Sequence, residues 1–233
     1  MQELVAIAQT GQSFVDTLMR VWERGDAAMP LDPRVPAHTR DSLLAALAPT
    51  RLIDAAGIEY HLDGRGVEAG DALVIATSGS TGTPKGVVHT HASLEASARS
   101  TSKALDVANH DDTWLCCLPL THIAGIAIVV RAQTFAIPLV VHDRFDVANV
   151  EEAARNGASL TSLVPTTLAR IDPTRFRRII VGGQATPSNL PDNCRASYGM
   201  TETGSAVVFD GEALPGVELR IVDSEIQVRG EML

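Results

Sequence analysis

Cysteine, aromatic side chains and positive charge are all scarce in this chain of 233 residues, and each scarcity removes a class of protein. The three cysteines, Cys116, Cys117 and Cys194, are an odd number without metal-ligand spacing, which argues against a disulfide scaffold or a zinc site. Cys116 and Cys117 lie in the apolar run 114–118 and read as strand core, as free thiols in a reducing cytoplasm would. Aromatics at 4% leave no stacking platform for single strands. Lys and Arg number 19 against 28 Asp and Glu, a formal net charge of −9, which disfavours nonspecific binding to nucleic acid or an acidic membrane. No apolar run reaches the ~20 residues a membrane helix needs; the run at 123–130 is broken by Gly125 and closed by Arg131. The first 25 residues have no basic segment and carry Glu3, Asp16 and Glu23, so they do not read as a signal peptide. The expectation is a cytoplasmic protein with small-molecule partners, no nucleic acid and no membrane insertion, its association into a homodimer left open.

What is present is an alternation of elements. The spacing of Phe14, Val15, Leu18 and Trp22 predicts a helix over 3–24 with Gly25 as its stop, then a Pro-marked turn at 30–36 and a helix near 42–48. Strands are predicted at 72–77, 113–118, 138–142, 159–163 and 178–181. Helices are predicted at 91–105, 123–135, 147–156 and 166–171. This alternation implies an α/β fold, mostly parallel sheet flanked by helices. Beyond residue 200 the short runs 206–209, 217–222 and 225–229 predict a β-rich C-terminal portion, so 1–200 reads as an α/β core and 201–233 as the start of a β-rich subdomain.

The densest chemistry lies in Thr77-Ser78-Gly79-Ser80-Thr81-Gly82-Thr83-Pro84-Lys85-Gly86, placed by the pattern between a strand and a helix. Its glycines let backbone approach a ligand, its hydroxyls and N–H groups suit an anion, and Lys85 adds a point charge. It is not the P-loop of nucleoside triphosphatases: Pro84 stands where that motif needs glycine, and Gly86 where it needs the Ser or Thr that holds magnesium. No dinucleotide fingerprint opens a helix here either.

This string resembles the phosphate loop of adenylate-forming enzymes, the superfamily of acyl-CoA synthetases, luciferases and peptide-synthetase adenylation domains. Further matches follow in that superfamily's order. Leu118-Pro119-Leu120-Thr121-His122 resembles the segment whose His borders the acyl pocket. Gly182-Gly183-Gln184-Ala185 resembles the turn beside adenine, and Tyr198-Gly199-Met200-Thr201-Glu202-Thr203 the signature next to the nucleotide. Within the superfamily, 22–33, His122 to Gly125 with Arg131, 161–166, and 209–211 with 215–217 are most similar to the short form of the o-succinylbenzoate–CoA ligases of menaquinone synthesis.

The resemblance implies the adenylate-forming large-domain fold, with ATP, Mg²⁺ and coenzyme A as the ligands besides the acid. Thr77, Ser78, Gly79, Ser80, Thr81, Gly82, Thr83 and Lys85 would hold phosphates. Gly182, Gly183, Gln184, Tyr198, Gly199 and Met200 would hold the nucleotide, with Thr201 donating to the α-phosphate. Glu202 would ligate Mg²⁺, a hard ion suited to a carboxylate. His122, Arg131, Ser162 and Gly183 would meet the acid, and Lys85, His122, Thr201 and Glu202 form the catalytic set. Plain alternatives stand beside several of these: a surface Glu202 capping a turn, a core Tyr198, a core or capping His122, and Arg131 at an exposed helix end. Ala124 replaces a Ser that many relatives carry. Asp111-Asp112 reads as a solvated turn, and His89, His91, His110 and His142 receive no role.

The resemblance also implies a Thr-Gly-Asp segment and a small C-terminal domain beyond Leu233. The chain is therefore expected to be the large domain alone, with the small domain absent, and to adenylate poorly. Activation of another aryl, fatty or amino acid, and ATP binding without catalysis, remain open alternatives.

Overall fold

The computed structural model describes residues 2–78, 84–107 and 111–233, with Ser78 described through its backbone alone. Ser80, Thr81 and Thr83 with Gly79 and Gly82, the middle of the phosphate loop, lie outside the described residues, as does His110. The chain divides into two compact units, residues 1–91 with 119–123, and residues 92–118 with 124–233.

The first unit is built on a six-stranded sheet. Its elements are β1 (Leu4–Ile7), α1 (Gly11–Glu23), β2 (Ala27–Pro30), α2 (Ala37–Leu47), β3 (Arg51–Ile53), β4 (Glu59–His61), β5 (Asp71–Ser78) and β6 (Pro84–Thr90). The strand order is β4-β3-β1-β2-β5-β6, parallel in the middle and antiparallel at both edges. Leu4 to Ile7 form a central strand buried along its whole length, not the start of a helix as the sequence pattern suggests. A four-residue apolar run carries no decisive period, and pairing with β2 and β3 decides its state. The helix proper begins at Gly11 and buries Phe14, Val15, Leu18 and Val21. Each fully buried side chain of this kind contributes about 1.5–3 kcal/mol. Leu4, Ala6, Ala27 and Met29, on one sheet face, pack with Leu47 of α2.

The second unit contains α3 (His91–Ala104), β7 (Trp114–Cys116), α4 (Ile123–Thr134), β8 (Leu139–Val141), α5 (Val147–Arg155), β9 (Leu160–Leu163), α6 (Pro165–Leu168), β10 (Arg178–Val181) and β11 (Cys194–Met200). The strands β12 (Ser205–Phe209), β13 (Glu212–Ala213), β14 (Glu218–Val222) and β15 (Glu225–Arg229) follow. The seven-stranded sheet runs β13-β12-β11-β10-β9-β7-β8, parallel from β8 to β11. β12 and β13 then add antiparallel strands to its edge, whereas β14 and β15 pair with each other. Period-two alternation sends Leu115, Cys117, Ile179 and Val181 into one core with Val150 and Ala153 of α5. Trp114 and Cys116 point the other way, and the Cys116 thiol reaches the Gly125 carbonyl of α4 at 3.7 Å. The sheet is therefore covered on both faces, as near-continuous apolar strands require.

Asp112 is 5% exposed, which corrects the expectation of a solvated turn. Arg177 grips its carboxylate with two arms, Nε at 2.9 Å from Oδ1, and the Ser159 hydroxyl donates to Oδ1 at 2.7 Å. Burial alone would raise this carboxyl; those hydrogen bonds outweigh it and hold it below its ordinary range. Among the described residues no helix is long and apolar enough to cross a membrane.

Candidate active site

In the first unit the phosphate-loop string joins two antiparallel strands, with Thr77 opposite Lys85 and Ser78 opposite Pro84. The helix begins at His91, where the sequence pattern puts it, but Val87 and Val88 first continue the ladder with β5, so the string lies between two strands and not between a strand and a helix. Thr77 spends its hydroxyl on the loop's own mouth, donating to the Lys85 carbonyl at 3.3 Å. Lys85 is exposed and has no ion pair among the described residues, so its charge is available to a ligand. His122 is exposed, its backbone N–H donating to the Pro119 carbonyl at 3.2 Å. That excludes the core-histidine reading. Asp32, chelated by Arg34 at 2.8 Å through each oxygen, is held below the usual carboxylate range by that pairing first and by the nearby His122 last.

In the second unit Gly182 follows β10 and donates its N–H to the Leu163 carbonyl at 3.1 Å. A Cβ on Gly182 would stand 2.2 Å from the Ser197 hydroxyl, which itself donates to the Val181 carbonyl at 3.0 Å. Gly183, at φ +79°, sits in the left-handed region, and Gln184 beyond it is exposed. Tyr198 and Gly199 straddle a bulge: Tyr198 faces Val208 and Gly199 faces Ala206, leaving Val207 as the extra residue. Bulges re-aim side chains, and Tyr198 is 42% exposed, so it is not a core tyrosine. Met200 leads into a 3-10 turn, Thr201–Thr203. Thr201 is half-buried and Glu202 exposed, and neither side chain has a hydrogen bond or ion pair among the described residues. Glu202 lies at the surface in the first turn of this 3-10 element, and its carboxylate makes no capping hydrogen bond among the described residues.

Arg131 lies in the last turn of α4 and in the interior, 2% exposed, not at the surface. Its Nη2 donates to the Ser205 hydroxyl at 2.7 Å, and its guanidinium carbon lies 5.3 Å from the Trp114 ring centre. Nε and Nη1 are buried without a partner among the described residues. Burial pushes its pKa down to about 10, still far enough above neutrality to keep the charge. Such a group demands an anion. Ser162, on β9, is also buried, with its hydroxyl unpartnered among the described residues. Ser205 and Trp114 were not singled out from sequence; they meet Arg131 only through the fold, Ser205 from 74 positions away.

The thiols do no such chemistry. Burial pushes Cys116 up to about 12 and Cys117 up to about 11, so both stay protonated and inert.

A family model described as "AMP-binding enzyme" matches residues 65–233. The chain belongs to this family. It is 37% identical over 172 residues to a probable 2-succinylbenzoate–CoA ligase of Mycobacterium tuberculosis (strain CDC 1551 / Oshkosh), covering 65% of this chain and 44% of the relative. It is 29% identical over 241 residues to the 2-succinylbenzoate–CoA ligase of Bacillus subtilis (strain 168), covering 95% of this chain and 49% of that one. The chain thus spans about half the length of the curated relatives it matches. In fold it matches the O-succinylbenzoate coenzyme A synthetase of Bacillus subtilis in complex with ATP and a magnesium ion, with TM-score 0.84 and 24% identity over 99% of this chain and 76% of that one.

The residues fit a nucleotide and a hard cation. The hydroxyl of Thr201 and the carboxylate of Glu202 are oxygens on one 3-10 turn, uncommitted among the described residues. No cluster of three or more His, Cys, Asp or Glu occurs among the described residues. One carboxylate with phosphate oxygens and water suits Mg²⁺, which keeps much of its hydration.

Proposed function

We propose that this chain supplies the adenylating part of an AMP-forming acid–CoA ligase acting on o-succinylbenzoate in the cytoplasm. The observation that carries the substrate is Arg131, a buried cation with two donors unsatisfied among the described residues, in a chain related to 2-succinylbenzoate–CoA ligases. A dicarboxylate brings one carboxylate to react and a second to be met by Arg131, with the Ser162 hydroxyl as a further donor.

The reaction is attack of the acid's carboxylate on the α-phosphorus of ATP, pyrophosphate leaving, followed by thiol displacement of AMP by coenzyme A. Positioning and charge neutralisation are the protein's share. Lys85 offsets phosphate charge alongside the hydroxyl-rich loop at 77–83. Thr201 donates to the α-phosphate, and Glu202 would hold Mg²⁺, which neutralises the phosphates when bound. Tyr198 with Gly182, Gly183 and Gln184 receives the adenosine, while Gly199 and Met200 carry the chain into the Thr201 turn. His122 orients the acid or admits the thiol.

Acid-dependent ATP–pyrophosphate exchange over a small acid panel tests this reading. Exchange is expected with o-succinylbenzoate and to fall sharply with a benzoate lacking the second carboxylate. Equal exchange with both would remove the role given to Arg131. No exchange with any acid, alongside measurable ATP binding, would make this a nucleotide-binding fragment.

A further inference from the structure

Thr203 follows the two residues that face the nucleotide in the reading above, and it is 1% exposed. Its hydroxyl oxygen accepts from the Met200 N–H at 3.1 Å, and lies 2.7 Å from the Ser205 carbonyl and 3.0 Å from that of Met200. A hydroxyl has one proton and two lone pairs, so this side chain spans the entry and the exit of the turn at once. The turn is closed again by the Gly204 N–H donating to the Thr201 carbonyl at 3.1 Å. Ser205, whose carbonyl Thr203 reaches, is the residue whose hydroxyl accepts from Arg131. One short segment therefore ties the Thr201–Glu202 turn to the buried guanidinium.

We infer that Thr203 is a positioning residue. Its hydroxyl holds Thr201 and Glu202 in the orientation in which they take phosphate and cation, and it fixes that turn against the strand carrying Arg131's partner. This rests on the ATP and magnesium reading, and Thr203 itself touches neither ligand.

The test is calorimetric titration of the chain with ATP, once with excess Mg²⁺ and once in chelator, for the wild type, Thr203→Val, Thr203→Cys and Thr203→Ser. The readout is the factor by which Mg²⁺ tightens ATP binding, which a loss of stability alone does not change in folded protein. Val keeps the shape and removes the hydroxyl, and is expected to lose about fivefold or more of that factor. Ser should keep it within about twofold, and Cys, a weaker donor and acceptor, should fall between. Should Val fail to fold, the ordering of Cys below Ser decides the matter. Full retention by Val, or a loss by Ser equal to that of Val or Cys, overturns the inference while leaving the nucleotide reading intact. A wild type whose ATP binding does not respond to Mg²⁺ overturns both.

Discussion

Arg131 stacks on Trp114, its guanidinium carbon 5.3 Å from the ring centre and both side chains closed off from solvent. The ring face offsets part of the desolvation of the cation, and Ser205 satisfies one arm. Two donors are left over among the described residues. A cation held this way opposes folding and favours an anionic ligand, and the two effects should separate on mutation.

Arg131→Met should stabilise the ligand-free protein and abolish selectivity for a dicarboxylate. Burial lowers the guanidinium pKa from its ordinary value to about 10, a penalty on the charged form in the fold. A folded pKa below the unfolded one means the charge destabilises at neutral pH, and the penalty fades as pH rises through the folded pKa of about 10. The variant's advantage, about 1–4 kcal/mol at pH 7, should therefore shrink at strongly alkaline pH. Denaturant unfolding at both pH values checks this, and a variant less stable than wild type at pH 7 refutes it.

Gly86→Ala should cost stability without changing ATP affinity. A Cβ there would stand 2.8 Å from Val74 Cγ1 and 2.9 Å from Leu47 Cδ2, so this last glycine of the phosphate-loop string is needed for α2 to close on the sheet. Overpacking of this kind costs about 1–3 kcal/mol. Urea midpoints measure the loss. ATP affinity of the folded variant should stay within about twofold by titration.

Asp112→Asn should destabilise by about 1–3 kcal/mol at pH 7, since Arg177 keeps some solvent but loses its carboxylate. Asp112 is held below its ordinary 3.8 in the fold, so its stabilisation is present above that value and is lost as pH falls through the folded pKa. Melting temperatures of wild type and variant should stay apart from pH 7 to about 4 and converge below it. A gap that persists in strong acid would mean the pair contributes by packing and not by charge.

Glu202→Gln should weaken ATP binding about tenfold with Mg²⁺ present and hardly at all in chelator, because the amide keeps the shape and loses the charge a hard cation needs. Equal weakening under both conditions would place the carboxylate on the nucleotide itself.

How far these features are legible in the sequence varies residue by residue. Thr201 and Glu202 are legible because a short run of chain builds their turn. β7, β9 and β10 are legible because their apolar runs are bounded by turn residues. Leu4 to Ile7 misread as helix since an apolar run that short suits either state. β6 was missed because the glycine-rich string before it looks like a lead into a helix. Asp112 looked solvated because its partners, Arg177 and Ser159, lie 65 and 47 positions away.

The sequence alone determined the chemical inventory: the hydroxyl-rich loop with Lys85, the Thr201–Glu202 turn, the cysteines of an apolar strand run and the alternation that makes an α/β sheet. These are local properties, set by residue type and period over a few positions. Only the tertiary structure decided which polar groups are committed and which are free. Burial turned Arg131 from a helix-end charge into a desolvated cation with two donors open among the described residues. It also spent Thr203 on holding its own turn and exposed Tyr198 and His122. Solvation and partnership depend on segments far apart in the chain, and the one-dimensional pattern does not record those distances.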